Sequence, residues 1–177
     1  IVMSLVSNFK RNLCSEETSY IDLKKQLDEL ECVDRNEIWI FIKKNIILVS
    51  SHLVKNNMAL IVRDIGDDSF LECLFACIKS EDNYRRRGTI LYAISKFNAK
   101  EYLYELTHYV VNDTLESRLN ALDAIENING TIDCEVVSKC KSMVEEKYLY
   151  LRNNEDLDDE EKSFMSDLEY LLYLLEG

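Results

Sequence analysis

Residues 67–98, DDSFLECLFACIKSEDNYRRRGTILYAISKFN, and residues 99–129, AKEYLYELTHYVVNDTLESRLNALDAIENIN, carry one pattern twice. Each opens with apolar residues at helical spacing, and Phe70, Leu71, Leu74 and Ile78 fall on Tyr102, Leu103, Leu106 and Val110 at an offset of 32. A short polar link follows, Ser80-Glu81 in one copy and Asn112-Asp113 in the other. In the second half Arg87, Leu91, Ala93, Ile94 and Phe97 fall on Arg118, Leu122, Ala124, Ile125 and Ile128, now at an offset of 31. Asn98 falls on Asn129 just beyond. The spacing predicts two helix pairs: Asp67–Lys79 with Asn83–Lys96, and Lys100–Val111 with Thr114–Asn127.

Working outward, Asp133 is placed to cap a helix bearing Val136, Val137, Cys140, Val144, Tyr148 and Leu151. The acidic link Asn153–Glu161 then leads to a last helix with Phe164, Met165, Leu168, Leu171, Leu172 and Leu175 on one stripe. On the other side, residues 1–14 read as a lead-in with a helical turn around Leu5 and Phe9. Ser15 with Glu16 and Glu17 marks a helix start, running through Tyr20, Leu23, Leu27 and Leu30 to Glu31. A further helix, capped by Asp34 or Asn36, is expected to run through Ile38, Trp39, Ile42, Ile46 and Val49 to Leu53. Its additional Ile40, Phe41, Ile47 and Leu48 predict packing on more than one side.

Composition agrees with helices. The 177 residues include no proline and only four glycines, whereas strand-rich folds need frequent turn residues. The fold class is therefore all-α. Residues 1–177 are expected to form a single domain: an N-terminal helical cap over 1–60, two clear repeats over 67–130 and a C-terminal capping pair over 131–177. A period near thirty residues, two amphipathic helices per unit, is the mark of an α-solenoid, because one pair cannot bury its apolar stripe alone.

An Arg near the start of each second helix, after an acid in the link, resembles the HEAT repeat. The resemblance implies antiparallel pairs stacked as a short right-handed α-solenoid. It also implies a polar ladder through Arg87 and Arg118, with Asp82 and Asp113 as partners. The proline common in the first HEAT helix is absent. The stretch Arg87-Gly88-Thr89-Ile90-Leu91-Tyr92-Ala93-Ile94-Ser95-Lys96-Phe97-Asn98, with Tyr102-Leu103 and Ser117-Arg118-Leu119-Asn120-Ala121-Leu122-Asp123, resembles small acidic immunity proteins. Bacteria encode these beside polymorphic or contact-dependent growth inhibition toxins. That resemblance implies a protein partner, a basic, nuclease-type toxin domain whose active site is covered. The alternatives are a scaffold that joins other proteins and a HEAT-like enzyme acting on nucleic acid.

The net charge of -12, from 33 acids and 21 bases, opposes nucleic-acid binding, which draws on Lys and Arg to displace counterions. It would steer a basic partner. Arg85–Arg87 is the only basic run. The chain shows no metal motif, phosphate loop or nucleophile elbow, so neither catalysis nor a cofactor is expected. The acids Glu155–Glu161 lack calcium-loop spacing and read as a solvated link. Six cysteines without a Cys-x-x-Cys pair read as free thiols. His52, near a helix end, would suit a helix dipole, and His108 reads as structural. Ile1–Phe9 lacks a charged lead and a long apolar run, and Lys43, Lys44 and Asn45 interrupt the stretch Trp39–Val49. No signal peptide and no membrane contact are thus expected, and the default location is cytoplasmic. Second helices usually line the partner face of such stacks. The candidate contacts are Thr89, Tyr92, Lys96, Glu116, Asn120, Asp123 and Asn127, with Asp167, Tyr170 and Tyr173 on the last helix.

Overall fold

A computed structural model of the chain describes residues 4–80, 83–154 and 156–176. All regular structure among them is helical, in ten α-helices and short 3-10 turns. No helix is long and apolar enough to cross a membrane. The chain divides into two compact units, Ile1–Ile94 and Ser95–Gly177.

The first unit holds α1 (Leu5–Leu13), α2 (Tyr20–Asp28), α3 (Cys32–Asn45), α4 (His52–Ile65), α5 (Leu71–Lys79) and α6 (Gly88–Ile94). The expected lead-in is thus a full helix, because Val6, Phe9 and Leu13 bury a stripe against α2 and α3. Ser19 rather than Ser15 caps α2, its hydroxyl accepting from the Asp22 N–H at 3.2 Å. The single helix expected to reach Leu53 is two helices. Ser51 caps α4, its Oγ accepting from the Val54 N–H at 3.4 Å, after the chain turns through Ile46–Ser50. Of the apolar residues that suggested continuity, Ile40, Ile47, Leu48 and Leu53 are exposed, while Trp39 and Phe41 are half-buried, Trp39 against Phe70 and Phe41 under Lys10, so the broad packing is carried by the two aromatic residues. The buried stripe is Ile38, Ile42 and Ile46 alone. His52 consequently opens α4 instead of closing a helix, and the favourable dipole interaction expected for it is lost.

Gly66 ends α4 in the left-handed conformation, φ 74°, and its N–H donates to Val62 O. A Cβ there meets no steric obstacle but forces a costly backbone region. Gly66→Ala is expected to lower stability by about 1 kcal/mol, read from chemical denaturation midpoints with an unchanged slope.

The second unit holds α7 (Leu103–Asn112), α8 (Leu115–Glu126), α9 (Cys134–Arg152) and α10 (Asp159–Glu176). Here α7 packs on α8 and α9, and α10 packs on α9 and α8. Leu106, Val110, Ala121, Ala124, Cys140, Val144, Leu168 and Leu171 are fully buried at the centre. Asp133 caps α9 as its position foretold, accepting from the Glu135 N–H at 2.8 Å. At the start of α10, Asp158 and Glu161 exchange reciprocal side-chain to backbone hydrogen bonds, and the acids that follow complement the dipole. The solvated link is thereby a helix-starting device, although Glu155 lies outside the described residues.

The two copies of the sequence pattern share one structural feature. Each first helix is entered through a 3-10 turn, Asp68–Phe70 and Lys100–Tyr102, at the same offset of 32. The second helices differ. Thr114 and Asn127 flank α8 as expected, but α6 starts only at Gly88. Asn83 is buried and its Nδ2 donates to Cys77 O at 2.6 Å, closing the end of α5, while Arg85 takes φ 60°. A left-handed residue stops helix propagation there.

Candidate functional site

In the second unit Arg118 meets an acid that the expected polar ladder did not include. Arg118 is 4% exposed, and its Nε lies 2.9 Å from Oδ2 of Asp167 on α10. The guanidinium covers the Phe164 ring at 4.3 Å. The approach is off the N–H axis, so Arg118 Nε and Nη2 and Asp167 Oδ2 make no well-directed hydrogen bond and the attraction is Coulombic. Burial pushes the Asp167 carboxyl above its ordinary range, with Arg118 opposing. Asp113 accepts from the Thr114 N–H at 2.7 Å. In the first unit Arg87 donates through Nε to Ile78 O at 2.7 Å, and its expected partner Asp82 lies outside the described residues.

The remaining candidates fall on both units. In the first, Thr89 is half-buried, and Tyr92 is exposed but its ring carries the Arg63 guanidinium at 4.2 Å. In the second, Lys96 is exposed in the turn entering α7, outside the helix expected to contain it. Glu116 on α8 is exposed, while Asn120 and Asp123 are half-buried. Asn127 donates through Nδ2 to Asp123 O at 2.8 Å, so its amide closes α8. Asp167 faces inward onto Arg118. The two tyrosines of α10 do come together: Tyr170 and Tyr173 stack at 6.4 Å with an interplanar angle of 20°, and Tyr173 is 71% exposed. Tyr170 donates its hydroxyl to Glu126 Oε1 at 2.6 Å, and that bond, with burial, raises its pKa.

Sequence reasoning passed over Glu126 and the hollow beside it. A cleft of about 700 Å³ is lined by Leu103, Ile125, Ile128, Ile132, Leu174 and Leu175, among others, with Glu126 on its rim. Gly130, at φ 95°, turns the loop that forms one wall. The loop is fixed by the repeated asparagines, Asn98 Nδ2 donating to Asn129 O at 3.0 Å and Asn129 N–H donating to Asn98 Oδ1 at 3.1 Å. The legible signal was an acid in the last turn of α8, where a base is the rule.

Charge is unevenly distributed. Of the 33 acids and 21 bases, 19 and 8 belong to Ser95–Gly177, a net charge of -11; 14 and 13 belong to Ile1–Ile94, a net charge of -1. Among the described residues, no group of three or more His, Cys, Asp or Glu is placed to hold a metal ion. Comparison with protein-family models, curated proteins and solved structures returns no match.

Proposed function

We propose that this chain is a non-catalytic protein-binding module whose acidic second unit captures a basic protein domain. The observation that carries this reading is the charge partition: almost the whole net charge of -12 belongs to one half of the chain. Such a field raises the encounter rate with a cationic partner and repels nucleic acid. The exposed Tyr173, stacked on Tyr170, supplies an aromatic anchor of the kind that dominates interface energies.

The helix contacts support a HEAT-like reading of each unit. In the second, first helices touch (α7 with α9) and second helices touch (α8 with α10), as in stacked repeats. In the first, α4 packs on α6, and Trp39 of α3 meets Phe70 edge-on at 6.3 Å. A short right-handed solenoid is the finer form of this proposal. Its biological form is an immunity protein that neutralises a basic, nuclease-type toxin by covering its active site, because rapid steered capture suits that task.

The test is titration calorimetry against the basic domain encoded by the adjoining gene. A one-to-one complex of nanomolar affinity or tighter is expected, weakened at least tenfold by Tyr173→Ala while thermal stability stays unchanged. Absence of a complex, or affinity indifferent to salt, overturns the reading.

A further inference from the structure

We infer that the cleft between the ends of α8 and α10 is the partner's anchoring point, and that it takes a large apolar side chain with an adjacent Lys or Arg. The inference rests on the reading above and names the chemistry of the segment that docks. Its first support is the lining. Leu103, Ile125, Ile128, Ile132, Leu174 and Leu175 give an apolar floor, and about 700 Å³ is room for at least one Leu, Ile or Phe side chain with its neighbours.

The second support is electrostatic and independent of the floor. α8 ends at Glu126 and α10 runs to Glu176, and neither helix has a base in its last turn. The carbonyl ends of two helices, each a site of partial negative charge, thus meet the cleft with acids instead of cations. Glu126 is exposed and lines the cleft, and Tyr170 donates to its Oε1, which fixes the carboxylate there. The exposed acids Glu101, Asp133 and Glu176 adjoin the lining segments in sequence, and Lys100, next to them in the chain, pairs with Glu101 at 3.8 Å. A cation brought by a partner would therefore meet two helix termini and a positioned carboxylate at once. An apolar side chain next to it would displace water from the floor. A purely apolar occupant leaves the negative rim unanswered, and a purely basic one leaves the floor wet.

The experiment uses the full chain with isotope-labelled Leu, Ile and Val methyls and three synthetic 12-residue peptides. One carries a central Leu with Arg at three and four residues' distance; the second has Glu for Arg; the third has Ala for Leu. The first peptide is expected to shift the methyls of Ile128, Ile132 and Leu174, and the other two to bind at least tenfold more weakly. Glu126→Gln is expected to weaken the first peptide about threefold or more, and Ile132→Glu about tenfold. Glu126→Gln alters no packing, so it keeps the test decisive even where Ile132→Glu perturbs folding. Equal binding of the three peptides, or shifts confined to other methyls, overturns the inference. A basic domain that binds tightly while no peptide touches the cleft sinks the cleft assignment and leaves the proposed function standing. Peptide binding with no basic domain bound does the reverse.

Discussion

Replacing Arg118 by methionine is expected to lower stability by about 3 kcal/mol, at the low end for breaking a buried ion pair, because the Asp167 side chain keeps 20% of its exposure. Methionine preserves the apolar contact with Phe164 and removes only the charge, leaving the carboxylate half-desolvated with no counter-charge. For a chain of 177 residues this is roughly 6–12 °C in Tm. The double variant Arg118→Met/Asp167→Leu is expected to recover most of the loss, since apolar replacement of a whole buried pair is often neutral. The pH dependence has a definite sign. A carboxyl whose folded pKa is raised contributes most to stability at low pH, and that contribution falls as pH rises through the folded value. Removing Arg118 takes away the one influence holding that value down. The difference between wild type and Arg118→Met should therefore be larger at pH 7 than at pH 4. Equal differences at both pH values, or no recovery in the double variant, would show that the pair is not what joins α8 to α10.

A second large effect is expected from charge alone. Reversing three exposed acids of the second unit that do not line the cleft, Glu116, Glu145 and Glu160, to lysine should cut the association rate with a basic partner about 10- to 100-fold at low salt. The dissociation rate should change far less, because these side chains steer and do not anchor. The matching reversal of Asp28, Glu29 and Asp68 in the nearly neutral first unit should change association little. Stopped-flow mixing at two ionic strengths reads both. If the two triple variants slow association equally, the charge partition has no part in recognition.

The repeat was legible because its signals were local and redundant. Phe70/Tyr102 and Leu74/Leu106 share period, offset and link chemistry, and even the 3-10 entry recurs in register. The first sixty residues misled because burial there is not apolarity. Ile47 and Leu48 carry the pattern of a continuing helix while facing solvent, and Ser51, a single capping residue, decides the break. The start of α6 turned on a side-chain to backbone bond, the buried Asn83 amide closing α5, which no helical period announces. At the candidate site, Tyr170 and Tyr173 were read as neighbours from spacing, and they stack. Asp167 was read as outward because its partner, Arg118, lies 49 positions away in the chain (167 − 118), beyond any local pattern. Glu126 went unnoticed for a similar reason: its importance comes from α10 ending beside it.

The cysteines have a practical consequence. Cys77 in the first unit and Cys140 in the second are buried, with thiols pushed above their usual pKa by desolvation. Half-buried Cys73 is pushed up to about 11 by the same cause. Cys14, Cys32 and Cys134 are exposed. A thiol-reactive probe at neutral pH therefore reaches the exposed Cys32, Cys134 and, its thiol also pushed up by burial, Cys14 first, and the buried Cys77 and Cys140 only when their own unit opens. With the three exposed cysteines changed to serine, the slow labelling of Cys77 and Cys140 becomes a pair of clocks. Read by mass spectrometry, they time the opening of the near-neutral half and the acidic half separately, so a bound partner declares by which clock it slows the half of the chain it grips.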